Sequence, residues 1–312
     1  MKRFLLLVVF MFVLGAIEAQ SKGVVSIQNG VIEARVNCLG AELTSLKKGN
    51  TGHEYIWQGN KEHWKGSSPI LFPIVGSLKD GRYTYEGRHY KLPQHGFAKN
   101  MIFHVVDQLE EKVTFSLKST EATKVNYPFD FELRVIYELQ NDSILVTYEV
   151  RNKGQKSMYF SIGGHPGFTI PMNNETLDAN PYLVFEDKEN AEIFVRSGKL
   201  LSGKSMTFLE NEDRIDIVPK LFENGALIFS DLKSNTVELW YGNKRRISFG
   251  FEGFPYFAFW SKPVNPGFIC FEPWYGIPDL VTANGKLEDK KGVVKVDSQK
   301  DFSCSYQITI LN

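Results

Sequence analysis

Apolar and polar side chains alternate with a period of two along most of the chain from Val24 onward. The clearest alternation covers residues 131–139, resumes over 144–150 after a polar turn, and returns over 302–310 near the C-terminus. Successive side chains of a β-strand point to opposite faces of the sheet, so this period is typical of strands with one buried face. The three segments therefore predict half-buried antiparallel strands.

Short turn signals separate the alternating segments, and no long helical pattern interrupts them. Hairpin-type residue pairs occur at Asn29-Gly30, Glu86-Gly87, Asn141-Asp142 and Asn284-Gly285. Beyond residue 19, no stretch of about 12 residues keeps a helical period. The sequence therefore predicts an all-β fold.

The distribution of these segments indicates a single large domain. Residues 20–312 contain no Pro/Ser-rich linker, low-complexity tract or fixed-period repeat. Roughly 15 strand-like segments are more than a small sandwich holds when strands average about 5 to 6 residues. We expect one antiparallel β-sandwich domain of two extended sheets, with a ligand cleft on the concave face of one sheet.

The first 19 residues have the composition of a secretory signal peptide. Lys2 and Arg3 precede an apolar run over 4–13, and residues 17–19 form a candidate cleavage site. The apolar run is shorter than the roughly 20 residues that a membrane-spanning helix needs, and no cysteine follows it to accept a lipid. We expect cleavage and export, periplasmic or secreted, without stable membrane insertion; an uncleaved anchor is the alternative.

The charge balance and the cysteine spacing argue against nucleic-acid binding, a zinc site and a disulfide-stabilised fold. The sequence has 36 basic and 36 acidic residues, so its formal net charge of zero gives no reason to expect a nucleic-acid partner. Cys38, Cys270 and Cys304 show no CxxC spacing, which argues against a zinc site or a disulfide framework. We expect small apolar residues on strands, with one disulfide and a spare thiol as the alternative.

Three segments combine ionisable side chains with glycine, proline and aromatic residues. They cover residues 68–83 with 93–99, 161–168, and 257–276. His165 lies between a Gly-Gly and a Pro-Gly pair, and its ordinary pKa of about 6.5 suits either proton transfer or hydrogen bonding that stabilises a loop. Glu272 ends an apolar strand among aromatic residues, which suits a general base or a core carboxylate paired with a cation. His95 has the same two interpretations as His165.

The chain lacks the motifs of several large enzyme classes. It contains no HExxH, GxSxG, Walker loop or dinucleotide-binding glycine turn. Metalloprotease, serine hydrolase, NTPase and dehydrogenase functions therefore have no support. A carboxylate and an imidazole that converge on one cleft would supply a general base and a general acid without a metal or a cofactor.

Four motifs in a fixed order carry a resemblance to a known family. They are residues 69–83, 94–98, 164–168, and the Trp260-x-Lys262-Pro263 segment that leads to 272–276. Together they resemble the aldose 1-epimerase (galactose mutarotase-like) family, and most closely its LacX-like branch, from about Val24 to the C-terminus. The resemblance implies a β-supersandwich fold and interconversion of the α and β anomers of an aldose.

The resemblance also implies roles for individual residues. Glu272 would remove the proton from the anomeric hydroxyl as general base, and His165 would protonate the ring oxygen as general acid. The ring opens, the aldehyde carbon rotates and reclosure gives the other anomer, without a cofactor. His95 would hydrogen-bond the sugar near its ring oxygen. The further substrate-binding candidates are Arg82, Lys79, Lys65, Lys99, Trp260 and Trp274.

The sequence departs from the family at Ser77, where galactose mutarotases carry an arginine, so galactose specificity lacks that support. One alternative is hexose-6-phosphate 1-epimerase-like activity, in which Lys65 and Lys99 take the places of two arginines. A second is a non-catalytic exported carbohydrate-binding protein. A third is action on a larger saccharide, for which Asp231 is the candidate second acid; the alternative for Asp231 is a turn residue. We expect a small sugar as ligand and a monomer or homodimer.

Overall fold

The computed structural model of the protein describes residues 23–49, 51–170, 181–263 and 267–311. The signal peptide expected at residues 1–19 lies outside these ranges, so cleavage and export stay predictions. In the described part of the chain, no helix is long and apolar enough to cross a membrane. Regular structure there is almost entirely β-strand, which confirms the all-β prediction.

Helical structure within the described ranges is limited to short segments. A one-turn α-helix, α1, covers Glu121–Lys124, and 3-10 turns cover Lys79–Gly81, Ala98–Asn100 and Pro219–Phe222. The strands are β1 (Val24–Gln28), β2 (Ile32–Asn37), β3 (Glu42–Lys48), β4 (Ile70–Leu71), β5 (Arg82–Tyr85), β6 (Arg88–Lys91), β7 (His104–Gln108), β8 (Lys112–Lys118), β9 (Phe131–Gln140), β10 (Ser143–Asn152), β11 (Met158–Phe160), β12 (Ile162–Gly164), β13 (Gly167–Thr169), β14 (Pro181–Ser197), β15 (Leu200–Asp216), β16 (Leu227–Ser230), β17 (Thr236–Tyr241), β18 (Lys244–Gly250), β19 (Tyr256–Trp260), β20 (Phe268–Tyr275), β21 (Val294–Val296) and β22 (Asp301–Ile310).

One large antiparallel sheet forms the body of the fold. Its 15 strands follow the order β4–β12–β20–β19–β16–β14–β17–β18–β22–β10–β9–β8–β7, with β13 added to β20 and β15 added to β14. Smaller sheets are β1–β2–β3, β5–β6 and β11–β21. The sequence pattern predicts two extended sheets, whereas the hydrogen-bonded path between strands is continuous here because β18 pairs with both β17 and β22.

The alternating segments form the strands that their period predicts. β10 pairs with β9 on one side, where Val146 lies opposite Tyr137, and with β22 on the other. Asn141 has a φ of 56° in the turn between β9 and β10. The pairs Asn29-Gly30 and Glu86-Gly87 also connect hairpins, as predicted.

The hairpin predicted at Asn284-Gly285 is wrong. These residues turn within a loop, and no described strand borders them directly. Instead, the loop lies against β5: Gly285 O accepts the N–H of Thr84 at 2.7 Å, and the N–H of Leu287 donates to Thr84 O at 3.0 Å. Asn284 and Gly285 do form a bend in the chain, but the residues beside them pair with β5 and not with each other.

Aromatic and aliphatic side chains from both the large and the small sheets form the core. The buried hydroxyl of Tyr137 on β9 donates to Ala41 O at 2.7 Å, which ties the large sheet to the β2–β3 connection. The cysteines Cys38, Cys270 and Cys304 are all buried, and no disulfide links them. Cys270 and Cys304 lie on strands, as predicted, whereas Cys38 lies in the turn after β2. The fold therefore relies on packing and strand pairing.

The most irregular element is the β14–β15 hairpin. Each of its strands has 17 residues, and the pairing register shifts at several positions. Such bulges bend and twist a two-stranded ribbon. The tip, at residues 198–199, brings Arg196 and Lys199 to the cavity described next.

Candidate active site

The three ionisable motifs meet because neighbouring strands of the large sheet carry them. β4, β12, β20 and β19 lie side by side in that order. Gly163 pairs with Leu71 on one side and with Trp274 on the other, while Ala258 lies opposite Glu272. The motifs are far apart in sequence, and strand pairing places them in one region.

Two glycines let this region pack closely. A Cβ atom on Gly163 would lie 2.5 Å from Cδ1 of Trp274, and one on Gly164 would lie 2.9 Å from Cε1 of Tyr306. Cβ atoms do not tolerate such distances, so only glycine fits these backbone positions. The close packing of β12 sets the position of the next residue, His165.

His165 and Glu272 are in direct contact. Nε2 of His165 lies 3.1 Å from Oε2 of Glu272, within hydrogen-bonding distance. The two residues are only 8% and 1% exposed. A titratable pair with so little exposure can exchange a proton internally without passing it to bulk water.

Burial opposes the charged form of both groups. It raises the pKa of Glu272 well above its usual range, and the positive charge of Arg196 opposes this only in part. It lowers the pKa of His165 to about 3, and the charge of Lys99 lowers it further. Burial therefore favours a carboxylic acid beside a neutral imidazole over a carboxylate beside an imidazolium.

His95 lies next to this pair in a constrained conformation. Its φ is 65°, in the left-handed region that few non-glycine residues adopt. The N–H of Gly76 donates to Nδ1 of His95 at 3.2 Å, and the ring centroids of His95 and His165 are 5.8 Å apart. Burial, together with the nearby cations, holds the pKa of His95 well below its usual range. Its other ring nitrogen, Nε2, lies 3.2 Å from the side-chain amide nitrogen of Gln94, so both ring nitrogens have a polar neighbour.

Aromatic rings border the pair on further sides. Trp64 stacks on His165, with ring centroids 5.0 Å apart and an interplanar angle of 27°. Trp260 meets the same imidazole edge-on at 5.8 Å. Trp274 is 2% exposed, so most of its ring packs in the core, and its Nε1 has no hydrogen-bond partner among the described residues. The indole N–H of Trp274 is thus a buried donor whose hydrogen-bonding capacity is not used within the described part of the chain.

These side chains line a cavity of about 380 Å³. Six of the residues singled out in the sequence contribute to its lining: His95, Lys99, His165, Trp260, Glu272 and Trp274. The volume lies within the range of small-molecule sites, about 300 to 1,000 Å³.

Three other candidates do not reach the cavity. Arg82 is exposed on β5, 3.8 Å from the carboxylate of Asp80. Nζ of Lys79 donates to Ala283 O at 3.3 Å, and Lys65 is exposed on the surface. Arg82 lies within the first motif in sequence, but β5 and β6 form a separate two-stranded sheet that carries it away from the cavity.

Four lining residues with polar or aromatic side chains were not among the predicted site residues. They are Trp64, Gln94, Arg196 and Lys199. Gln94 belongs to the 94–98 motif, but only its neighbour His95 was predicted to bind the substrate. Arg196 and Lys199 are far from every motif, and only the path of the β14–β15 hairpin brings them to the cavity.

The sequence of the chain matches that of a known protein family. A model of the aldose 1-epimerase family matches residues 23–294. The chain is 34% identical over 301 residues to the plasmid-encoded protein LacX of Lactococcus lactis, covering 92% of this chain and 99% of LacX. A 112-residue stretch, 33% of this chain and 35% of the relative, is 32% identical to a putative glucose-6-phosphate 1-epimerase of Salmonella typhimurium.

A solved structure supports the same assignment. The galactose mutarotase related enzyme of Lactobacillus acidophilus superimposes with a TM-score of 0.88 at 33% identity, over 93% of this chain and 97% of that one. The fold predicted from the family resemblance is therefore confirmed. The protein belongs to the aldose 1-epimerase family and is an epimerase-type carbohydrate isomerase.

Proposed function

We propose that the enzyme interconverts the α and β anomers of an aldose, with His165 and Glu272 as the acid–base pair. The observation that carries the proposal is the 3.1 Å contact between Nε2 and Oε2 inside a cavity of sugar size. Anomer exchange needs one proton removed at one oxygen and one delivered at another, and this pair supplies both functions.

The resting pair contains one mobile proton. Before the sugar binds, that proton is on Glu272 and His165 is neutral, because burial disfavours both charged forms. A bound sugar hydroxyl that donates to Glu272 stabilises the carboxylate, since hydrogen bonds to the charged form lower a carboxyl pKa. The proton then moves along the 3.1 Å contact to Nε2 of His165.

Ring opening follows with balanced proton transfers. Glu272 takes the proton of the anomeric hydroxyl, the bond between the anomeric carbon and the ring oxygen breaks, and His165 delivers its proton to that oxygen. The open-chain aldehyde now faces a protonated Glu272 and a neutral His165, the form that burial favours. Rotation about the bond beside the aldehyde carbon and reversal of both transfers give the other anomer.

The surrounding residues orient the sugar and stabilise charge. His95 lies close enough to His165 to hydrogen-bond a sugar oxygen near the reacting centre. Trp64 and Trp260 limit the access of water to His165, which strengthens electrostatic interactions inside the cavity. In the proposed mechanism, protein side chains carry out every proton transfer, so the reaction needs no cofactor.

The test is anomer exchange measured by saturation-transfer NMR on a panel of aldoses, with each rate corrected for the rate in buffer. We expect acceleration by the wild type and a loss of about 10²- to 10⁴-fold in kcat/KM for His165→Ala and for Glu272→Gln. His104→Ala, which changes an exposed histidine on β7, is the matched control and should retain full activity.

Two results would contradict the proposal. If no aldose exchanges faster than in buffer, the enzyme is not a mutarotase. Sugar binding without exchange would then favour the carbohydrate-binding alternative. If either active-site variant keeps the wild-type rate while the protein remains folded, the role assigned to that residue is wrong.

A further inference from the structure

The cavity beside Glu272 has a surplus of positive charge. Its lining includes Lys99, Arg196 and Lys199, whereas Glu272 is the only carboxylate in the lining among the described residues. Within the ranges that the structure covers, none of these three cations lies within 4.0 Å of a carboxylate oxygen. The protein itself therefore leaves the positive charge of the cavity without close partners.

The three cations come from two separate elements. Lys99 is in the 3-10 turn Ala98–Asn100, and its Nζ donates to Gln94 O at 3.3 Å. Arg196 lies at the end of β14 and Lys199 in the adjoining hairpin tip, where Nη2 of Arg196 donates to Gly198 O at 3.2 Å. A guanidinium has five N–H donors and an ammonium has three, so these contacts leave donors for a ligand.

Partial burial makes the unpaired charges unfavourable. Removal from water lowers the pKa of Arg196 and also that of Lys99. A buried cation is stabilised best by an anion that also accepts its hydrogen bonds. Phosphate and carboxylate fit the planar arginine fork, while a neutral hydroxyl supplies an acceptor without charge.

We propose that the sugar substrate carries an acidic substituent, a phosphate or a carboxylate, which Arg196, Lys199 and Lys99 bind. This inference rests on the proposed function, because it assigns the substrate class of the same cavity. The proposal also gives the β14–β15 hairpin a role, because Arg196 and Lys199 at its end are two of the three cations.

The experiment compares kcat/KM for anomer exchange of glucose and galactose, their 6-phosphates and their uronic acids, each corrected for the spontaneous rate of that sugar. We expect an acidic sugar to exceed its neutral counterpart by about tenfold or more at low salt, since charge-assisted hydrogen bonds are the strong ones. The preference should shrink as salt is added.

Variants of the hairpin distinguish a loss of acid binding from a general loss of activity or stability. Lys199→Gln should lower the acidic-to-neutral ratio about 3- to 10-fold, and Arg196→Gln should lower it further because Arg196 is less exposed. Lys204→Gln removes the same charge from an exposed position on β15 that does not line the cavity. It should leave the ratio within about twofold of the wild type.

Each outcome has a distinct meaning. Preference for the 6-phosphates alone identifies a phosphate site, and preference for the uronic acids alone identifies a carboxylate site. Equal use of neutral and acidic sugars overturns this inference and leaves the proposed function intact. If no sugar exchanges faster than in buffer, the proposed function fails. Calorimetry then decides the inference: equal affinity for glucose and glucose 6-phosphate overturns it, and tighter 6-phosphate binding that Lys199→Gln removes supports it.

Discussion

At the scale of single residues, the protonation of Glu272 and His165 depends on each other and on what surrounds them. A lone glutamate and a lone histidine suggest a carboxylate and an imidazolium near neutral pH. Burial of both groups, 3.1 Å apart, favours the uncharged pair instead. The identities of the two residues could be predicted from their motifs, but their charge could not, because it depends on solvent access and on Arg196.

Replacement of Arg196 by glutamine should move the pH profile of the enzyme. The positive charge of Arg196 lowers the pKa of Glu272, so its loss raises that pKa. The basic limb of kcat/KM, where the pair loses its shared proton, should therefore shift to higher pH. Since the charged form becomes harder to reach, kcat should fall at neutral pH as well.

The measurement is the rate of anomer exchange of a neutral aldose as a function of pH. Arg82→Gln serves as the matched control, because Arg82 is exposed and does not line the cavity. It should reproduce the wild-type profile. A basic limb that stays in place, or that moves to lower pH, in Arg196→Gln would show that Arg196 does not tune Glu272.

At the scale of elements, the active site depends on close backbone contacts that only glycine allows. Gly96 forms a parallel bridge with Phe72, and the N–H groups of Phe97 and Ala98 both donate to Phe72 O, at 3.0 and 3.1 Å. These contacts hold the loop of His95 against the end of β4. The sequence placed His95 and the Pro-rich segment in one motif, and the backbone contacts explain why the two occur together.

Gly96→Ala should therefore be strongly destabilising. Gly96 has a φ of 68°, and a Cβ atom there would lie 2.2 Å from Phe72 O. We expect a loss of about 3 kcal/mol or more in the free energy of unfolding, above the usual range for single substitutions. Denaturant unfolding checks this value.

Gly87→Ala is the matched control for the Gly96 substitution. Gly87 has a similar φ of 76°, but no atom lies within 4 Å of its added Cβ. The control should lose only the cost of the left-handed conformation, about 1 kcal/mol. Equal losses for the two variants would mean that the contact with Phe72 is not important.

The same scale shows why part of the fold could not be predicted. Period-two alternation identified β9, β10 and β22, because each of these strands has one buried face. The β14–β15 hairpin is long, bulged and largely exposed near its tip, so its sequence has no clean period. The positions of Arg196 and Lys199 follow from its bend, which local sequence does not encode.

At the scale of the whole molecule, a buried ion pair between Lys290 and Asp279 holds the loop after β20 against the region beside the cavity. Nζ of Lys290 lies 2.8 Å from Oδ1 of Asp279 and donates to Ile277 O at 2.6 Å. Oδ2 of Asp279 accepts the N–H of Lys79 at 2.9 Å. The pair thus joins the segment that follows Glu272 to the segment that follows Gly76.

Lys290→Met should destabilise the protein by about 3 to 5 kcal/mol, because it leaves Asp279 buried without its cation. Burial lowers the pKa of Lys290, and Asp279 opposes that shift, so the charged pair is mutually dependent. Thermal or denaturant unfolding measures the loss. Lys156→Met is the control: its pair with Glu86 is exposed and should contribute less than about 1 kcal/mol. If both variants lose a similarly small free energy of unfolding, the buried pair contributes little to stability.

The contact between His165 and Glu272 has a consequence for the energetics of the whole cycle. In each step of the proposed mechanism, a proton moves between the pair and the sugar or within the pair, so enzyme and sugar together never change their net charge. The neutral pair becomes an ion pair before ring opening and is neutral again after it, so the opposite charges stay adjacent and the cavity never holds a lone ion. Such a cycle needs little rearrangement of solvent, which suits the partly buried aromatic walls that Trp64 and Trp260 form around His165.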